Sequence, residues 1–185
     1  MRTHERTIVP EENNPLLRQR ARELSLADIT STRIRTLIAD MKKLLAKEEF
    51  GVALAAPQVG EPLRLFIISG RALARDSRNA PDEPDKKAEM PPVPDQIYIN
   101  PELVKLSRGK YDKHEGCLSI RGKWGEVPRA EKATVRAYDE HGARFTRGAS
   151  GFLAHVFQHE MDHLEGILYT DKATKVYEEV EKKHG

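Results

Sequence analysis

Residues 150–166 read SGFLAHVFQHEMDHLEG, and this stretch decides the fold. Its apolar residues recur at helical spacing and Gly166 is suited to end a helix, so we predict one helix over residues 150–165. His159 and His163 lie four residues apart in it, which places both rings on one helical face, one turn apart. That spacing lets two imidazoles bind a single metal ion.

The two histidines belong to an H-E-x-x-H pattern that contains Glu160. On a helical wheel all three residues fall within the apolar half of the circumference. Burial of an isolated carboxylate is costly, so a glutamate in this arc needs a cation or a hydrogen-bond partner. A metal ion on the neighbouring histidines supplies the cation. In the alternative interpretation, backbone groups satisfy two core histidines and a lysine pairs with the glutamate.

Cys117 is the single cysteine of the chain and lies in HEGCLSIRG, residues 114–122. A lone cysteine cannot form an intramolecular disulfide and is often only a small buried hydrophobe. The predicted helix, however, offers two ligands where a metal site needs three or four, and a thiolate is a strong third ligand. This set leaves one position for water, which is typical of catalytic sites. His114 and Glu115 are either supporting partners of this centre or solvated loop residues.

A third feature is GVALAAPQVG, residues 51–60, which precedes a short apolar run. Its small residues let another backbone approach closely, and Gln58 offers a side-chain amide donor at a turn. The alternative is a tight loop that only packs on a sheet.

Composition excludes several classes of protein. Lys and Arg number 31 and Asp and Glu 29, so the net charge is only +2, and we expect no direct nucleic-acid specificity. No apolar run approaches the roughly 20 residues that span a bilayer, and residues 1–14 lack the apolar segment of a secretory signal. We therefore expect a soluble, cytoplasmic protein without a membrane partner.

The remaining segments are assigned by their periodicity and turn residues. Residues 10–30 mix proline with charge and are expected to form an irregular arm. An amphipathic helix is predicted from Arg33. Strands are predicted at LRLFIIS (63–69), YIN (98–100), ATVRAY (133–138), ARFT (143–146) and GILYT (166–170), and a short charged helix over residues 171–185.

Residues 71–96 hold five of the eleven prolines and many charges. Because apolar strands resume directly afterwards, we interpret this segment as an extended insertion, and the chain as one catalytic domain over residues 1–185. A linker between two domains is the alternative, but neither side alone looks complete. Strands before and around one late helix favour an α+β domain.

The motifs GVALAAPQ (51–58), EGCLS (115–119) and QHEMDHL (158–164) resemble, in this order, the three signature motifs of the peptide deformylases. The similarity extends from about Pro10 to Lys172 and is interrupted by the insertion. The resemblance implies an α+β fold in which antiparallel β-sheets pack around a central metal-binding helix. It also implies an activity in protein biosynthesis: hydrolytic removal of the formyl group from the N-terminal formyl-methionine of new polypeptides, releasing formate.

The resemblance further implies the roles of individual residues. One divalent metal ion is expected, with Fe²⁺ as the native ion and Zn²⁺, Ni²⁺ or Co²⁺ able to replace it. The metal ligands would be Cys117, His159 and His163. Glu160 would act as the catalytic acid and base on a water molecule, and the oxyanion would bind the Leu118 backbone N–H and the Gln58 side chain.

For the substrate, an N-formyl-methionyl peptide of a nascent chain, the resemblance implies an added strand along Gly51, Val52 and Ala53. The methionine side chain would enter a pocket formed by Phe152, His155 and Val156, and a transient ribosome contact is a further expectation. Two residues depart from the family pattern. Ala53 replaces the second glycine of the first motif, and His155 replaces an aliphatic residue at an edge of the helix that could also face solvent.

Three other functions remain open at this point. In a different H-E-x-x-H metallohydrolase, such as a peptidase, Cys117 would be a bystander, and the third ligand would be a downstream carboxylate, either Asp171 or one of the C-terminal Glu residues. A cysteine hydrolase would pair Cys117 with a histidine but leave Glu160 unexplained. A structural or metal-storage protein would fill the fourth metal position with a protein group.

Overall fold

The computed structural model describes residues 6–77 and 92–179. Within these ranges the α-helices are α1 (Leu26–Ile29), α2 (Thr32–Lys47), α3 (Gly70–Ser77), α4 (Gly151–Leu164) and α5 (Tyr169–Lys172). The strands are β1 (Ala53–Ala55), β2 (Leu65–Ile68), β3 (Gln96–Leu106), β4 (Lys110–Cys117), β5 (Ile120–Ala130), β6 (Lys132–Tyr138), β7 (Arg144–Ser150) and β8 (Lys175–Glu178). No helix in this part of the chain has the length and apolar content needed to cross a bilayer.

The strands form two sheets in which every pairing is antiparallel. The larger sheet has the order β1-β2-β3-β6-β7 and the smaller sheet the order β4-β5-β8. Helix α4 contacts strands of both sheets, including β1, β6 and β5. The α+β class, with antiparallel sheets around a central helix, is therefore confirmed.

Strand β2 separates two apolar clusters because its side chains alternate between the two faces of the larger sheet. Phe66 and Ile68 belong to the cluster that contains α4, whereas Leu65 and Ile67 belong to the cluster that contains α2. All four residues are fully buried. A strand covered on both faces is apolar throughout, which explains the continuous apolar run LFII at residues 65–68.

The long helices begin and end close to the predicted residues. In α2 the side chain of Ser31 accepts a hydrogen bond from the Ile34 N–H, which caps the first turn. Helix α4 ends at Leu164, two residues before Gly166. Gly166 has φ +74°, and a side chain there would also collide with the backbone of Arg18, so glycine is required on two counts.

The predictions for residues after Gly166 were wrong. GILYT leads into helix α5, whose start is stabilised by a hydrogen bond from the Leu168 N–H to the Asp171 carboxylate, 2.9 Å long. The segment predicted as a charged helix contains β8, which pairs with β5 and places Tyr177 opposite Trp124. Pairing with an available strand overrode the helical composition. Residues 180–185 lie outside the described part of the chain.

The proline-rich insertion also differs from the prediction at its start. Residues 71–77 belong to helix α3, so they are not extended. Residues 78–91 lie outside the described ranges. The flanking strands β2 and β3 are neighbours in one sheet, and the Gly70 N–H donates a 2.8 Å hydrogen bond to Asp95.

Candidate metal centre

Strand β4 and helix α4 bring the three predicted metal ligands together. Cys117 ends β4, and His159 and His163 lie on successive turns of α4. One ligand atom from each residue lies within 4.8 Å of the others, and Cys117 Sγ is 3.3 Å from His163 Nε2. A thiolate and two imidazoles at this spacing suit a single transition-metal ion.

The thiol of Cys117 is poised to bind a metal as the thiolate. Burial alone would raise its pKa, but the charge of His163 and hydrogen bonds with both histidines outweigh burial and lower the pKa to about 5. A metal ion binds the thiolate and not the thiol, so this environment favours the ligand form.

The orientation of His159 is set by Glu115, which is 2% exposed. His159 Nδ1 donates a 2.7 Å hydrogen bond to Glu115 Oε2, which leaves Nε2 of the same ring for a metal ion. Burial alone would raise the pKa of Glu115, but hydrogen bonds from two histidines and Arg129 hold it well below its usual range. Glu115 is therefore a charged supporting group of the centre, and the solvated-loop interpretation was wrong for it. His114, in contrast, is exposed on β4.

Arg129 extends this arrangement into a buried ion-pair network. Its Nε and Nη2 donate to the two oxygens of Glu115 at 2.6 and 3.0 Å, and its Nη1 donates to Asp162 at 2.6 Å. Lys172 binds the other oxygen of Asp162 at 2.6 Å. The two carboxylates, Glu115 and Asp162, are thus balanced by the two cations, Arg129 and Lys172, beside α4. Arg129 and Asp162 were not predicted from the sequence. Asp162 gave a weak signal, as an acidic residue on a helix that is buried on most sides.

Glu160 lies at the centre with an unpaired oxygen. It is 4% exposed, and its Oε2 has no hydrogen-bond partner among the described residues; neither has Nδ1 of His163. Burial raises the pKa of Glu160, and the charges of His159 and His163 oppose the shift only in part. A lysine pair for this glutamate, as the structural alternative required, is thus not seen, and the donor set and the unsatisfied carboxylate fit a metal ion with its water.

Gln58 points its amide nitrogen towards Cys117. Its Oε1 accepts a 2.8 Å hydrogen bond from the Ala55 N–H, so Nε2 is the atom directed inward. Nε2 lies 3.4 Å from Cys117 Sγ and 3.3 Å from Ser119 Oγ. Leu118 lies between these two residues, in the turn that joins β4 to β5. The first and second motifs are therefore adjacent in space.

The N-terminal arm braces these two motifs. The Val9 N–H donates to the Gln58 carbonyl at 2.8 Å, and the Glu11 N–H donates to the Ser119 carbonyl at 2.9 Å. The Asn14 side chain binds the Pro57 carbonyl at 2.8 Å. The arm contains short helical turns, including α1, joined by irregular chain. It supports the site without supplying a reactive group.

The residues expected to bind substrate are close to one another. Ala53 lies on β1, an edge strand whose one partner among the described strands is β2. Ala53 and Val156 belong to the same apolar cluster, with Val52 and Phe152 packed against it. The Gly51 carbonyl accepts a 3.1 Å hydrogen bond from Ser69 Oγ, which fixes the start of this segment.

His155 does not face solvent. Its side chain is 13% exposed, and its Nε2 lies 3.0 Å from Glu115 Oε1. Asp171, the carboxylate that a different metallohydrolase would use, instead binds Arg18 Nη1 and the Leu168 N–H. That alternative therefore loses Asp171 as its third ligand.

Comparison with known proteins agrees with this geometry. Residues 6–179 match the family model described as polypeptide deformylase. A peptide deformylase of Desulforudis audaxviator is 35% identical over 91% of this chain and 94% of its own length, and one of Thermomicrobium roseum is 39% identical over 90% and 85%.

Solved structures agree as well. A peptide deformylase from Legionella pneumophila has a TM-score of 0.72 at 34% identity, over 91% of this chain and 86% of its own. One from Synechococcus elongatus, in complex with actinonin, has a TM-score of 0.74 at 30% identity, over 95% and 82%. The order of the motifs, the Cys/His/His cluster and these similarities together show that the chain belongs to the peptide deformylase family.

Proposed function

We propose that Cys117, His159 and His163 bind one divalent metal ion and that Glu160 moves the protons of the family's reaction. That reaction, hydrolysis of the N-terminal formyl group of formyl-methionyl polypeptides to release formate, is the activity of this chain. The observation that carries the assignment of residues is the convergence of three ligand atoms beside a buried carboxylate with an unpaired oxygen.

We propose Fe²⁺ as the native ion, with Zn²⁺, Ni²⁺ or Co²⁺ as substitutes. The ligands themselves do not select iron, because two imidazoles and a thiolate suit several of these ions. When bound, the ion supplies Lewis acidity that activates water and polarises the formyl carbonyl. Glu115 supports the site by holding His159 in the tautomer whose Nε2 is free.

Glu160 is proposed to act first as a base and then as an acid. Its unpaired Oε2 accepts a proton from the attacking water, and the same carboxyl group then donates a proton to the leaving amine. Burial supports this cycle because it brings the pKa of Glu160 up from the ordinary range of a carboxyl group. A group that must both accept and release a proton works best when neither form is strongly favoured.

Gln58 and Leu118 are proposed to stabilise the oxyanion. The Gln58 Nε2 is held towards Cys117 by the bond between its own Oε1 and the Ala55 N–H, so it need not reorganise during the reaction. The Leu118 backbone N–H would be the second donor, next to the cysteine ligand.

The substrate is proposed to add a strand to the edge of β1. Backbone groups of Gly51, Val52 and Ala53 would bind the peptide main chain, and specificity would come from side-chain contacts. The methionine would enter an apolar pocket lined by Phe152, His155 and Val156. Support comes from the shared apolar cluster of Ala53 and Val156.

We further propose that residues 1–185 form one catalytic domain and that residues 71–96 are an insertion within it. We place the enzyme in the cytoplasm, in transient contact with ribosomes, because its substrates are newly synthesised chains. Cell fractionation and co-sedimentation with ribosomes would test these two proposals, and an organellar fraction or absence from the ribosomal pellet would contradict them.

The central experiment combines metal analysis with a formate-release assay on formyl-Met-Ala-Ser. We expect one equivalent of metal and formate release that stops when a chelator removes the metal. Metal without formate would favour a storage or structural role, and peptide cleavage without formate a peptidase. Formate release by the metal-free protein would favour a cysteine hydrolase.

A further inference from the structure

The carboxylate of Glu115 is surrounded by four donors. Oε1 accepts from Arg129 Nε and lies 3.0 Å from His155 Nε2, while Oε2 accepts from Arg129 Nη2 and His159 Nδ1. An ionised carboxylate has about four lone-pair positions. Three hydrogen bonds and the close contact with His155 therefore surround the carboxylate on both oxygens.

These donors come from two different elements. The guanidinium of Arg129 ties the carboxylate to β5, whereas both imidazoles tie it to α4. His155 and His159 are four residues apart, so their rings lie on one face of the helix, one turn apart. Glu115 thus bridges two successive turns of the metal helix, one through each oxygen.

His155 is held in a defined position on the helix. Its side chain is largely buried, and its ring meets that of Phe152 edge to face, with centroids 6.5 Å apart. The direction of Nε2 is therefore set by packing as well as by the 3.0 Å contact with Glu115. If this donor were removed, Glu115 would be tied to α4 through His159 alone.

We infer that His155 is a positioning residue of the metal centre: it locks Glu115 to helix α4, and Glu115 in turn fixes the ring of His159. This inference rests on the proposed metal site and deepens it. Groups that orient a ligand histidine typically change metal affinity about 10-fold to 100-fold when they are lost. His155 acts one step further away, so we expect an effect near the lower end of that range.

The test compares variants that differ in the donor. His155→Leu removes it at similar size, and His155→Gln restores an amide N–H. His141→Leu is the matched control, because His141 is exposed in the turn between β6 and β7. The readouts are the rate at which Zn²⁺ is released to a chelator and the visible absorption spectrum of the Co²⁺-substituted protein.

We expect His155→Leu to release Zn²⁺ about 10-fold faster and to shift the Co²⁺ bands. His155→Gln should return both readouts towards the wild type, and His141→Leu should change neither. Should His155→Leu fail to fold, His155→Met replaces it under the same criteria.

Three results would overturn the inference. The first is a release rate and spectrum in His155→Leu equal to those of the wild type. The second is an equal loss in the Leu and Gln variants, which would mean that ring packing matters and the donor does not. The third is a change confined to the KM for formyl-Met-Ala-Ser, which would leave His155 as a pocket residue only. Failure of the proposed metal site itself would be distinct, since the wild-type protein would then bind no metal.

Discussion

At the scale of single residues, the chemistry depends on groups that are buried and incompletely paired. Glu160 is buried, yet one of its oxygens has no partner among the described residues. Burial of such a carboxylate costs free energy unless a cation or a hydrogen-bond donor compensates for the lost hydration. A bound metal ion with its water would supply both.

Replacing Glu160 by Gln should lower kcat for formate release about 100-fold to 10,000-fold, because the amide has the same shape but cannot cycle a proton. Metal content should stay at the wild-type value. The control is Glu165→Gln at the end of the same helix, where the carboxylate pairs with Arg64. A Glu160→Gln protein with normal turnover would contradict the assigned role.

Loss of a proposed ligand, in contrast, should lower the metal content. Cys117→Ser and His163→Ala each remove one of the three proposed protein ligands, so both should lose metal during dialysis while His141→Ala retains it. The metal-to-protein ratio measured by elemental analysis checks this. Retention of a full equivalent by either variant would show that another group ligates the ion.

At the scale of elements, the sequence predicted helices that have a local apolar period. It did not predict strands or ion pairs whose partners are distant in sequence. Helix α2 carries its apolar period and its Ser31 cap in one stretch, and α4 carries its own motif, so both were found. The Arg129 network joins β4, β5 and α4. Its members are far apart in sequence, so no local sequence pattern predicts it. Strand β8 was missed for the same reason, since its backbone partners lie on β5.

The buried network should contribute strongly to stability. Arg129→Met leaves Glu115 and Asp162 without their shared cation, and removal of one partner from a buried pair costs about 3–5 kcal/mol. Arg136→Met is the matched control, because Arg136 is 40% exposed and pairs with an exposed Glu102, where such a pair is worth at most about 1 kcal/mol.

Urea unfolding of both metal-free variants measures the difference in the free energy of unfolding. Keeping a chelator present removes any contribution from lost metal. Similar losses for Arg129→Met and Arg136→Met would mean that the buried pair adds no more than a surface one.

At the scale of the whole molecule, the proposed metal ligands come from parts of the chain that are far apart in sequence. Cys117 belongs to the smaller sheet, while the histidines lie on a helix packed against the larger one. A metal that binds only the native state stabilises it by mass action, by about 4 kcal/mol when its concentration is 1,000 times the Kd. Chelation should therefore lower the melting temperature of the loaded protein.

For a chain of 185 residues, each kcal/mol corresponds to about 2–4 °C, so the expected decrease is roughly 8–16 °C. Differential scanning calorimetry with and without a chelator measures it. Cys117→Ser is the control, and its melting temperature should not respond to the chelator. An unchanged wild-type melting temperature would show that the ion contributes nothing to stability.

The class of the fold was predictable at this scale, whereas the division into two sheets was not. A late amphipathic helix among short strands already favours an α+β domain. Which strands pair is decided by contacts over long sequence distances, such as β3 with β6.

The alternating faces of β2 have a consequence for how the protein can misfold. A slip of one residue in its pairing would send Phe66 and Ile68 into the cluster of α2, and Leu65 and Ile67 into that of α4. The ring of Phe66 stacks on that of Tyr98, with centroids 4.6 Å apart. If a smaller aliphatic residue took its place, the α4 cluster would contain a cavity and the α2 cluster would be overpacked. A shifted register is therefore unfavourable on both faces of the sheet, and packing in the two clusters together fixes the register of β2.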